Sequence, residues 1–389
     1  MVFNRRAAVR NRALPGVLSK HFDEETFARS RAYTLDQLAF AKVSLFYSGV
    51  ITVVLLFSGI LPWIDGRFQG VFGLSLHRGV LFLAGVSLIQ GALKLPMTLY
   101  STFRIEGKYG FNTMTWGVFW VDLGKEVLLS LCLGIPFLYA VLGFMAYAGS
   151  LWWAWVFLFI VAFQLIMVLV YPVFIAPLFN KFKPLEEGGL KSSLLALAAR
   201  LSFPARGIFV MDGSRRSLHS NAYFTGFGKL RRIVLFDTLL RQMDDRELSG
   251  IVAHEIGHYR LKHVYKMLIA QVIAMGFLLY LLSWAVVWPP LYTAFGYGEP
   301  SPGAGLFLSL AVFSSLSILL TPIRNWFSRK HEYEADAFAV KACGDPEAMQ
   351  SALIKLSKKN LSNLTPHPWY SFFHYSHPTL AERLKAIQV

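Results

Sequence analysis

Long apolar runs punctuate the chain at residues 44–64, 79–100, 126–148, 151–178, 267–289 and 304–322. Each is about 20 residues or longer, enough to cross about 30 Å of hydrocarbon as a helix, so six membrane spans are predicted. The polar stretches between them give five parts: an N-terminal segment (1–43), four spans with their loops (44–178), a polar insertion (179–266), two spans (267–322) and a C-terminal part (323–389). Inside the insertion, 190–201 has helical apolar spacing and 206–210 reads as a strand entered after Pro204. Residues 220–227 and 233–236, separated by Gly228 and Lys229, read as a β-hairpin. Such a hairpin is either an ordinary lid or a free sheet edge that takes an extended peptide by strand addition. Asp244, with Glu247 three residues on, forms a capping pair that opens a helix through Leu248, Ile251 and Val252.

Composition agrees with the span pattern. Hydrophobic residues make up 55% and charged residues only 16% of the chain, which does not suit a soluble surface. The net charge of +15 would suggest nucleic acid in a soluble protein, but here it follows the loops. If the spans alternate, all but three of the 38 Lys and Arg lie on one side; the exceptions are Arg67 and Arg78 on the other side and Lys94 within a span. That side is predicted to be cytoplasmic, and it holds both termini, the 179–266 insertion and the 323–389 part. The first 42 residues are basic and lack a cleavable apolar core, so they are expected in the mature protein. Cys132 and Cys343 supply neither a disulfide framework nor a paired metal-ligand spacing. Gln90, Lys94, Gln164 and Gln271 lie within spans, where polar groups hydrogen-bond neighbouring helices or line a hydrated cavity. Trp152, Trp153 and Trp155 fit an interfacial belt.

The capped helix carries His254-Glu255-Ile256-Gly257-His258. Residues i and i+4 share a helix face, so both imidazoles can hold one ion while Glu255 reaches its water, the arrangement of zinc hydrolases. A catalytic zinc takes a third protein ligand. The best candidate is Glu332, with Asp336 one turn later to accept a hydrogen bond from a ligand imidazole, although a carboxylate-rich helix taken alone reads as a solvated face. Topology favours the pairing. If the helices simply continue out of the bilayer, His258 and Glu332 stand about 12 and 15 Å beyond the same membrane face. Zinc at this site acidifies water and polarises a carbonyl, Glu255 serves as base, and His374, His377 and Arg383 in the tail are candidate donors to the oxyanion.

Beyond this motif, the chain resembles the CAAX prenyl protease 1 family of integral-membrane zinc metallopeptidases. The resemblance rests on FARSRAY at 27–33, EGKYGFNTMT at 106–115, PLFNKF at 177–182, HSNAYFTG at 219–226, RIVLFDTLL at 232–240, EYEADAF at 332–338 and HYSHPTLAERL at 374–384, together with the HEIGH box. It implies a mainly α fold: a polytopic membrane helical barrel around a water-filled intramembrane chamber, with a small cytoplasmic α+β zinc-protease domain. By the same likeness Glu332 is the third zinc ligand and Asp336 its outer partner. Asn221, Ala222 and Tyr223 are the substrate-pairing edge, and His377 and Arg383 are polar groups near the cleft. One zinc per chain and a monomer are expected. The implied substrates are C-terminal C-a-a-X segments of prenylated proteins, losing their last three residues, or misfolded membrane proteins in a quality-control role. A non-catalytic scaffold or transporter is the reading from another class, and Glu255 argues against it. Family members carry seven spans, one of them before the FARSRAY-like block, where this chain is basic. The tail ends without a dilysine-type retrieval signal, which favours a prokaryotic plasma membrane over the endoplasmic reticulum.

Overall fold

Asp23 accepts the Thr26 amide at 2.6 Å and opens a 34-residue helix, longer than the apolar run it contains. The computed structural model describes residues 1–11, 13–73, 75–226 and 231–388. Two short N-terminal helices, α1 (Val2–Arg10) and α2 (Gly16–Ser19), precede that long helix, α3 (Glu24–Phe57). The apolar run 44–64 is not one continuous span: the chain turns at Ser58 and Gly59, where Gly59 has φ 81°, and restarts as α4 (Ile60–Phe72). The run hides this break because apolar composition continues across a glycine whose positive φ no composition reveals.

Next come α5 (Leu76–Leu99), which passes into a π-helix (Tyr100–Glu106), then α6 (Trp116–Tyr147) and α7 (Trp152–Val170). A second π-helical turn (Tyr171–Ile175) leads to the short α8 (Ala176–Phe179). Downstream lie α12 (His263–Ala285), the short α13 (Pro289–Ala294) and α14 (Pro302–Leu316), which continues through a 3-10 turn into α15 (Thr321–Cys343). Among the described residues six helices are long and apolar enough to cross a membrane.

The order in which these helices touch makes a closed ring, α5 to α6 to α7 to α12 to α14 and back to α5, with α3 against α4 and α5. At the end carrying residues 65–78 and 290–303 the ring is packed shut by Leu61, Phe82, Leu142, Val156, Leu282 and Tyr292. There α5 and α14 nearly touch: a Cβ on Gly303 would lie 2.8 Å from the Gly79 Cα, so position 303 requires glycine. Beside this seal Arg78 makes a two-pronged salt bridge to the buried Asp65, at 2.8 and 2.7 Å. Away from it the helices part. Of the apolar window in each span, no more than 22% is buried, whereas a tight bundle hides one face of every helix. Gln90 and Gln164 are half-buried and Lys94 and Gln271 exposed, so none of the four is locked into a polar-glued core.

The open end is capped by the polar domain. Its four-stranded sheet, β1 (Phe182–Pro184), β2 (Ala205–Met211), β3 (Ala222–Thr225) and β4 (Arg231–Phe236), has the order β1-β2-β4-β3. β2 and β4 run parallel, and β3 pairs antiparallel with β4 in the register Ala222 to Leu235. The turn expected at Gly228 and Lys229 lies outside the described residues. Helices α9 (Gly189–Arg200), α10 (Asp237–Leu240), α11 (Asp245–Arg260) and α16 (Pro346–Lys359) share one core with the sheet, including Leu194, Ile208, Ile233, Val252, Ile256 and Ala352. The chain ends in α17 (Pro368–His374) and α18 (Leu380–Ile387), both packed on α15.

Candidate metal centre

Helix α11 opens with the capping pair: Asp244 accepts the Arg246 and Glu247 amides at 3.0 Å, and Glu247 accepts the Asp244 amide at 2.9 Å. Glu247 also accepts from Ser351 at 2.6 Å and Lys355 at 2.7 Å, which ties the start of α11 to α16. The far end of α11 packs on α15 at Gly257, where an added Cβ would meet Phe338 at 3.1 Å and the Ala335 Cα at 3.3 Å. Glycine inside the HEIGH box lets the two helices approach, and that approach carries Glu332 to the histidines.

Three donor atoms then face one another. The Nε2 atoms of His254 and His258 are 3.1 Å apart, His258 Nε2 is 3.3 Å from Glu332 Oε1, and His254 Nε2 is 3.6 Å from Glu332 Oε2. Zinc bonds of about 2.0–2.1 Å at tetrahedral angles place ligand atoms about 3.3 Å apart, so the triangle fits. The protons agree with this. His254 Nδ1 stands 2.8 Å from Asp336 Oδ1, close in distance though not aligned as a hydrogen bond, which puts its proton on Nδ1 and its lone pair on Nε2. A bare nitrogen facing another nitrogen and a carboxylate in a buried site is repulsive unless a cation lies among them.

Around the triangle, Arg383 holds Asp336 with two bonds, at 2.7 and 2.6 Å, and places Nη1 3.6 Å from Glu332. His377 Nδ1 lies 2.9 Å from Glu332 Oε2 with its side chain 65% exposed, and the Glu332 carboxylate raises its pKa. Of the two tail residues expected near the cleft, the exposed His377 can reach a substrate, whereas Arg383 is committed to carboxylates. His374 lines the same hollow of about 540 Å3 but packs on the Tyr370 ring at 4.5 Å, outside the triangle. Burial pushes the Glu255 carboxyl above its ordinary range, against the opposing pull of the two imidazoles.

Residues 4–181 match the family model described as CAAX prenyl protease N-terminal, five membrane helices, and 184–389 match the peptidase family M48 model. The CAAX prenyl protease 1 homolog of Oryza sativa subsp. japonica is 39% identical, over 96% of this chain and 90% of its own length. The chain belongs to the CAAX prenyl protease 1 family. CAAX prenyl protease 1 of Saccharomyces cerevisiae is 38% identical, and the human homolog 35%, each over 96% of this chain and 88% of its own length. The crystal structure of S. mikatae Ste24p superposes with a TM-score of 0.93 at 34% identity, covering 99% of this chain and 94% of that one. Membership makes the chain a membrane metalloprotease and removes the scaffold or transporter reading. Over 4–181, where the family description counts five membrane helices, the described residues hold four helices long and apolar enough to span, together with the short α4.

β3 is one of the two edge strands of the sheet, β1 being the other. Asn221 C=O accepts the Phe236 amide at 3.1 Å, and antiparallel bonding alternates, so 221, 223 and 225 point to β4 while Ala222 and Phe224 turn their backbone groups outward. The Ala222 N–H meets only the Asn221 side chain, at 2.8 Å.

Two groups escaped the sequence reading. His219, in the HSNAYFTG block, lies 3.1 Å from Glu106 at the end of the first π-helix and stacks on Phe111 at 4.0 Å. Tyr33 donates to the same Glu106 at 2.7 Å, which ties the entrance of β3 to the feet of two spans. His263 stands beside His258 together with His331 and Glu334; a histidine five residues beyond the motif was the visible signal.

Proposed function

We propose that the chain is a zinc endopeptidase, with His254, His258 and Glu332 as ligands to one zinc per chain. The observation that carries this reading is the triangle of the buried His254 and Glu332 and the half-buried His258 at zinc-edge spacing, with Glu255 beside it. When bound, zinc supplies polarisation of a peptide carbonyl and acidification of a water. Glu255 takes the proton of the attacking water and passes it to the leaving amine. His377 faces the incoming carbonyl oxygen as donor, and Arg383, through Asp336 and Glu332, positions the ligand set. An extended peptide pairs with the outward backbone groups of Ala222 in the 221–223 edge, a mode that tolerates varied side chains. One chain holds the full ligand set, so a monomer suffices.

In this reading 44–178 and 267–322 form the chamber wall, and 179–266 joins 323–389 as the catalytic part. The curated relatives are named CAAX prenyl proteases, and the open ring gives an apolar tail a place beside the cut. Prenylated C-a-a-X segments are therefore the proposed substrates, with release of the terminal tripeptide. Sequence-tolerant main-chain pairing also suits a quality-control peptidase without prenyl specificity. A panel of matched C-a-a-X peptides, farnesylated and unmodified, read by mass spectrometry, separates the two. Faster tripeptide release from the farnesylated member is expected, and equal cleavage favours the quality-control role. On the same panel Ala222→Pro, which deletes the outward N–H, is expected to cut cleavage sharply with zinc content unchanged. Full activity in that variant removes the edge-strand proposal.

The one-sided distribution of cations supports a site on the cytoplasmic side. With Cys132 and Cys343 replaced by alanine, a cysteine at the exposed Glu299 is expected to label only from the opposite side, and one at the exposed Ser362 only from the cytoplasm. Reversed accessibility overturns the orientation.

A further inference from the structure

His254 has its outer partner in Asp336, whereas His258 faces a group to which the chemistry above gives no task. Helix α11 ends at Arg260, and Lys262 adopts a left-handed conformation, φ 59°, before α12 opens at His263. A continuous helix would carry a residue five positions on to another face. The reversal brings His263 back, with its Nδ1 3.0 Å from His258 Nδ1. On its far side His263 Nε2 stands 2.9 Å from Glu334 Oε2. His263 is only 2% exposed, and its ring lies flat on that of His331, centroids 4.0 Å apart at 11°.

We propose that His263, anchored by Glu334, is a positioning residue that fixes the tautomer and ring orientation of His258. The inference rests on the reading of His258 as a metal ligand. A carboxylate only accepts, so the His263 proton sits on Nε2 and is donated to Glu334. Nδ1 of a neutral His263 is then a bare acceptor, and the proton between the two Nδ1 atoms belongs to His258. That leaves the His258 lone pair on Nε2, the atom 3.1 Å from His254 and 3.3 Å from Glu332. His263, His331 and Glu334 are also near enough to one another to suggest an ion site of their own. The stack argues otherwise: imidazole lone pairs lie in the ring plane, and two parallel rings cannot both aim at one ion. His331 instead sets the plane in which His263 meets His258.

Outer partners of ligand histidines change metal affinity by about 10–100-fold. The test uses full-length protein in detergent, stripped of metal, with zinc titrated against a chromophoric chelator and cobalt binding followed in the visible spectrum. His263→Phe keeps a ring on His331 but removes the acceptor, and is expected to weaken zinc binding by about 10–100-fold and shift the cobalt bands. His263→Asn sets an amide oxygen near the lost Nδ1 and is expected to recover most of the affinity. Thermal unfolding of the metal-free proteins is expected to be alike in both variants, which separates positioning from folding. Zinc affinity of His263→Phe within twofold of wild type overturns the proposal, as does His263→Asn binding no better than His263→Phe. Wild-type protein that takes up no zinc removes the metal-centre reading itself, a result distinct from either.

Discussion

Glu255→Gln is expected to bind zinc like the wild type and to lose peptide cleavage by a factor of about 10²–10⁴, the usual contribution of a positioned general base. In transition-state terms this is about 2.7–5.5 kcal/mol. The amide matches the carboxylate in shape, so packing on α11 is undisturbed, but it neither takes a proton nor carries the charge that the two imidazoles attract. Glu255 is not one of the three converging donors, and loss of turnover should therefore come without loss of metal. The measurement is kcat for a C-a-a-X peptide on preparations matched in zinc by elemental analysis. A rate within a few-fold of wild type would transfer the base role to another group.

Glu332→Ala is expected to bring zinc from one per chain to near zero, with cleavage lost in parallel. The substitution removes one corner of the triangle and also strips His377 of its partner at 2.9 Å and Arg383 of one of its two carboxylates. Two imidazoles remain, fewer than the three protein ligands a catalytic zinc site takes. Glu332→Asp keeps the charge but withdraws the carboxylate by about one bond length, 1.5 Å, and is expected to fall between the two. Elemental analysis of purified protein checks both variants, and zinc at the wild-type level in Glu332→Ala would exclude it as a ligand. These two substitutions together separate metal binding from proton transfer.

Much of the centre is legible in the chain itself because its signals are local. A helical repeat puts His254 and His258 on one face, a capping pair starts that helix at Asp244, and apolar runs announce spans, all within a few turns of backbone. Glu332 is legible only as a candidate, since nothing near it in sequence distinguishes a ligand from a solvated carboxylate. Matched heights above the membrane favour it, and the motif resemblance agrees. What brings it within 3.3 Å of His258 is the approach of α15 to α11 over Gly257.

The sequence by itself determined that the chain carries six runs long and apolar enough to cross a membrane, that the cations are concentrated in alternate loops, and that two imidazoles and a carboxylate share one helix. Those properties follow from composition and period, which need no partner segment. Only the tertiary structure decided the break of the first apolar run at Gly59 and the closing of five spans into a ring sealed at one end. It also committed Arg383 to Asp336 while leaving His377 exposed beside Glu332, and turned His263 back onto His258 through a left-handed Lys262. Each of these depends on backbone dihedrals or on contacts between segments far apart in the chain. Their free energy is set by packing and by the pairing of buried polar groups, and neither leaves a periodic mark in the sequence.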